Sequence, residues 1–132
     1  MGSINYLAVV AAAASTFVIG GLWYSPLLFQ QAWMKANRFT EADVRTGNQA
    51  VIFGLAFVFA VIMAFNLAMF LNAPDTTTTW GATAGLLSAV WVVLGMGTVA
   101  LFERRPFAYT AINGGYWVVA FVVMGAILGA WR

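Results

Sequence analysis

Any chemistry in this sequence must be done by amides, hydroxyls, aromatic rings and ten charged side chains, because it contains no histidine and no cysteine. Imidazole bases, thiolate nucleophiles and the commonest metal ligands are excluded together. The polar residues that remain inside the long apolar runs are Asn66, Asn113 and a few hydroxyls, with Tyr24, Ser25, Thr98, Glu103, Arg104 and Arg105 at or near the ends of those runs. No acid or base lies within a run. General acid–base and metal-assisted catalysis both need such groups in a protected site, so the sequence predicts no catalytic residue, no metal site, no cofactor and no enzyme. The nearest reactive candidates, Glu103 and Tyr24, have no supporting cluster around them.

The elements that carry these residues follow from composition. Of 132 residues, 63% are hydrophobic and 8% charged, against roughly a quarter charged in a soluble domain. So few charges cannot cover a water-facing surface, and lipid must be the solvent. The net charge of +2 is too small to indicate a nucleic-acid partner. Crossing about 30 Å of hydrocarbon takes roughly 20 helical residues. Four runs meet that length: Ile4 to Tyr24, Asn48 to Leu71, Trp80 to Phe102 and Ala108 to Trp131. The reading is an all-α membrane protein, residues 1–132 forming a single domain of four transmembrane helices. A short interfacial half-helix follows the first span over Leu27 to Met34, anchored by Trp33 and set off by the Ser25–Pro26 step. Thr40 and Asp43 form a capping-box-like start ahead of the second span. Residues Ala73 to Thr79 read as a tight turn, and Glu103 to Phe107 as the third connection.

Depth sorts the polar groups. Asn66 lies about 9 Å in from one face and Asn113 about 7 Å in from the other, at 1.5 Å per residue. Asn5 and Thr83 share the first level. Tyr24, Ser25 and Thr98 share the second, with Glu103, Arg104 and Arg105 just beyond it. This second level is the richer polar layer and the candidate site. Lys35, Arg38, Arg45, Arg104 and Arg105 all fall in the first and third connections; retained positive charge predicts that these face the cytoplasm, with both termini outside and Arg132 dissenting. The uncharged start, Met1 to Asn5, predicts no cleaved signal peptide.

Glycines supply a second signal. Gly81 and Gly85, and Gly125 and Gly129, recur at a spacing that gives a helix one flat face for close backbone approach. Such a face serves either self-association or packing inside one bundle, and the spacing leaves both open. Trp23, Tyr24 and Tyr109 read as belt residues at one interface, and Tyr6, Trp80 and Trp131 at the other. Trp91 and Trp117 lie deeper, where an indole N–H needs an acceptor, and are expected to bridge helices or line a cavity.

The string Gly20-Gly21-Leu22-Trp23-Tyr24-Ser25-Pro26-Leu27-Leu28-Phe29, with Ala32-Trp33-Met34 after it, resembles the opening signature of a bacterial family of small four-span membrane proteins of unknown function. Phe102-Glu103-Arg104-Arg105-Pro106, Ile112-Asn113-Gly114-Gly115-Tyr116, Met124-Gly125 and Ile127-Leu128 resemble its closing half. The resemblance implies the fold and the bacterial inner membrane; it implies no activity.

Two functions compete on these grounds. One is a homo-oligomeric passive pore or a binder of small solutes or lipids, with Tyr24, Thr98 and Asn113 lining a path and Trp91 or Trp117 narrowing it. A lipid or a quinone would equally suit grooves between such helices. The other is an accessory or structural subunit of a larger membrane partner. Solute flux into reconstituted vesicles would mark the first, and recovery with a larger partner on gentle extraction the second.

Overall fold

The computed structural model describes residues 3–132, and these form six helices with no strand among the described residues. They are α1 (Tyr6–Trp23), α2 (Gln30–Asn37), α3 (Glu41–Val44), α4 (Gln49–Phe70), α5 (Thr78–Phe102) and α6 (Phe107–Ala130). Helices α1, α4, α5 and α6 are long and apolar enough to cross a membrane. The span ends differ from the sequence reading by one or two residues, because caps rather than hydropathy set them. Asn5, Asn48 and Thr77 each accept from a backbone N–H three residues on, satisfying a donor that the first helical turn leaves orphaned.

The first connection differs more. The half-helix lies at Gln30–Asn37 rather than Leu27–Met34, because the chain first makes a compact turn in which the Phe29 N–H bonds Trp23 O and the Gln30 N–H bonds Ser25 O. Arg38 ends it in the left-handed region, at φ 57°. The Thr40–Asp43 capping box forms, but it opens the single-turn helix α3 and not the second span, which has its own cap at Asn48. The Thr40 N–H and hydroxyl together hold the Asp43 carboxyl below the usual carboxylate range.

Successive spans run antiparallel. One end of the molecule carries α2, α3 and the Glu103–Pro106 turn; the other carries the start of α1, the end of α6 and the turn between α4 and α5. Small residues bring the helices close: Ala8, Ala12 and Ala13 of α1, Ala60 and Ala64 of α4, and Ala120 of α6 are all buried, with Leu67, Phe121, Met124 and Leu128 filling between them. Helix α6 is the centre, touching α1, α2, α4 and α5, while α5 packs almost wholly on α6. The exposed apolar side chains, such as Leu94, Leu101 and Phe107, are what a lipid-facing surface requires.

The α5–α6 contact is built on the four spaced glycines. A Cβ at Gly81 would collide with the carbonyl oxygen of Gly125, and one at Gly125 with that of Gly81; a Cβ at Gly85 would meet Phe121 O, and one at Gly129 would meet Thr77 O. All four are thus used within one chain. Arg132, the charge that dissented from the topology, is also engaged: its guanidinium donates to Leu71 O at 3.0 Å and Ala73 O at 2.8 Å. It satisfies carbonyls at the negative end of α4, a favourable place for a cation.

Candidate functional site

Three hydrogen bonds tie the end of α1 to the start of α6. The Trp23 indole Nε1–H donates to Ile112 O at 2.9 Å, the Tyr24 hydroxyl to Asn113 Oδ1 at 2.6 Å, and the Tyr116 hydroxyl to Thr16 O at 2.9 Å. Glycines make room for the rings. The Trp23 ring lies against Gly115, and the Tyr116 ring lies 3.4 Å from where a Gly20 Cβ would stand. Gly114 accommodates Val93 of α5 in the same way. One glycine of each pair, Gly20 and Gly115, therefore receives an aromatic ring from the other half of the chain.

Of the seven residues in the polar layer, the structure brings Tyr24 and Asn113 together, and none of the other five joins them. Ser25 donates back to Leu22 O and Thr98 to Leu94 O, each within its own turn of chain. Thr98 is exposed on the outer side of α5, as is Trp91. Glu103 faces Arg105 at 3.9 Å in a half-exposed ion pair, and Arg104 donates to Phe102 O. Within one chain, Thr98 does not face the Tyr24–Asn113 pair, so the three line no common path there. Trp91, 82% exposed, neither bridges helices nor lines a cavity, whereas Trp117 lines a groove, one of the two placements expected of it. The bridging indole is that of Trp23, which the sequence reading had assigned to the interfacial belt.

What the aromatic framework does enclose is an apolar groove of about 590 Å³. Phe17, Gly20 and Gly21 of α1 form one side, Phe53, Ala56 and Phe59 of α4 the other, and Tyr116 and Trp117 of α6 the back. Tyr24, Gln30 and Trp33 close one end with Val44 of α3. Trp33 stacks edge-on to Tyr24 at 5.7 Å and to Phe39 at 5.4 Å, which holds α2 across that end. Phe53 and Phe59 are more than half exposed, so the groove opens sideways. The hydroxyl protons of Thr16, Tyr24 and Tyr116 are already donated to protein acceptors. Gln30 is the exception, a half-buried residue whose side-chain amide has no hydrogen bond among the described residues.

Comparison with protein families matches residues 7–129 to the family described as protein of unknown function, DUF1761. The chain belongs to that family. The match spans the four long helices and the groove, so the fold described above is that of a DUF1761 chain over nearly its whole length. Neither curated proteins nor solved structures give a match. The residues that sequence reasoning missed are Thr16, Trp33 and Tyr116. Trp33 was seen only as an anchor, and nothing in an evenly apolar run marks which side of α6 carries Tyr116.

Proposed function

We propose that this protein binds a membrane lipid, with a hydrocarbon chain in the lateral groove and an anionic head at the end closed by α2 and α3. The groove carries the reading. Its size falls within the roughly 300–1,000 Å³ of ordinary ligand sites. Its walls are predominantly apolar, which favours an alkyl or isoprenoid chain and disfavours water or ions. At the closed end the chain supplies the only polarity such a ligand needs: the Gln30 amide, and Arg45 directly after groove-lining Val44. Lys35, Arg38 and Arg45 form no ion pair among the described residues, and these three cations against the two carboxylates of Glu41 and Asp43 leave the connection one positive charge in excess, which suits a phosphate. The role is one of binding and carries no catalysis.

Filling the groove tests this. Ala56 is exposed on the groove wall, so Ala56→Trp adds bulk without invading the core. Mass spectrometry of the protein released from mild detergent should show bound phosphatidylglycerol in preference to phosphatidylcholine, and Ala56→Trp should lower that occupancy about tenfold, the equivalent of roughly 1.4 kcal/mol. Unchanged occupancy in the variant would remove the groove as the site.

The same reading places the protein in a bacterial inner membrane with α2, α3 and the Glu103–Pro106 turn in the cytoplasm. Five of the six Lys and Arg lie at that end, and the sixth, Arg132, is spent on α4 carbonyls. A phosphatase that works only outside the cytoplasm should be active when fused after Arg132 and inactive when inserted at Gly47. The reverse pattern would invert the topology.

A further inference from the structure

With the spaced glycines consumed inside the chain, Asn66 stands out as a polar group left over on the outside of a span. It is exposed on α4 and forms no hydrogen bond among the described residues. Helix α4 has 22 residues, about 33 Å against a hydrocarbon core of about 30 Å, and Asn66 stands four residues before its end, so its amide lies within the hydrocarbon. A carboxamide facing lipid there has neither donor nor acceptor, and such a group is costly.

Its neighbours give the direction. Leu55, Phe59, Ile62, Asn66 and Met69 are all exposed, and they recur at steps of four, three, four and three. On a helix they fall within about 40° of the direction opposite Ala64, the fully buried centre of α4's inward face. A spacing that averages 3.5 residues is the seam of a left-handed helix pair, and a single Asn in such a seam fixes register and partner number. Two copies inserted the same way present equivalent residues at equal depth. A two-fold axis along the membrane normal would then set Asn66 against Asn66, and an amide, being both donor and acceptor, complements itself.

We infer that the protein forms a parallel homodimer through the outer face of α4, locked by a hydrogen bond between the two Asn66 side chains. This does not depend on the lipid reading. Because the sequence has no cysteine, single-cysteine variants report without background. In native membranes, oxidation should link copies through Ile62→Cys and Met69→Cys, and leave Trp91→Cys on the outer face of α5 monomeric. Energy transfer between labelled copies in bilayers should show association weakened about tenfold by Asn66→Leu, which puts no bulk into the core, and kept by Asn66→Gln. Equal association of wild type and Asn66→Leu, or equal linking at Trp91→Cys and Ile62→Cys, would overturn the dimer.

Discussion

One methyl group at Gly81 should detach α5 from the rest of the protein. Gly81→Ala places a Cβ onto the backbone carbonyl of Gly125, and that carbonyl belongs to a helix interior that cannot move aside as a flexible side chain could. The helices must separate along their contact, and α5 has almost no other partner to hold it. Overpacking of this kind costs about 3 kcal/mol, at the upper end of the usual range because both sides of the clash are backbone. Gly125→Ala should behave alike, as the reciprocal of the same contact. Gly21, Gly54 and Gly95 serve as controls: nothing stands within 4 Å of a Cβ built on any of them, so Ala there should be neutral or slightly stabilising through helix propensity. Unfolding in mixed micelles checks the series. Equal stability of Gly81→Ala and Gly95→Ala would show that the α5–α6 contact is not the close approach described.

The contrast between these glycines shows what the sequence could and could not convey. Four spans are legible because hydropathy is a sum over many residues, and a misjudged cap shifts an end without removing a helix. Depth is legible for the same reason, since the rise per residue is fixed. Direction around the helix axis is not. A helix that is apolar on every side carries no sided pattern from which to read which face is buried. Thr98 and Asn113 therefore share a level in the sequence reading, yet Thr98 lies exposed on the outer side of α5 while Asn113 meets Tyr24. The rotation of α5 is set by Gly81 and Gly85 against α6. Their spacing announced a flat face but could not name the helix that would cover it.

The groove was hidden for a related reason. Its walls come from α1, α2, α3, α4 and α6, and only contacts distant in sequence, such as Trp23 with Ile112 and Tyr116 with Thr16, bring them together. The displaced half-helix follows the same logic. Leu27 and Leu28 suit an interfacial helix by type, but the bonds from Phe29 and Gln30 back to Trp23 and Ser25 draw them into a turn. That turn sets α2 across the end of the groove. The family match over residues 7–129 adds the expectation that other members share the framework.

Tyr24→Phe and Asn113→Leu should each destabilise the protein by about 1 to 2 kcal/mol, and the two together by less than their sum. The Tyr24 hydroxyl and Asn113 Oδ1 are 2.6 Å apart and part-buried. Removing either partner leaves the other without its bond in a poorly hydrated place, whereas removing both leaves nothing unpaired. A coupling of about 1 kcal/mol is therefore expected from the double-mutant cycle. Stability alone would not separate this pair from any other cross-helix bond, but its position does. The Tyr24 ring packs between Trp33, edge-on at 5.7 Å, and Tyr116, tilted at 5.6 Å, so the hydroxyl fixes the ring that closes the groove's end. Loosening it should weaken lipid retention in Tyr24→Phe more than in a variant equally destabilised elsewhere, such as one in the α5–α6 contact, which adds no residue to the groove. Additive stabilities would reduce the bond to an incidental contact; equal lipid loss in the two variants would deny Tyr24 its place as the closing residue.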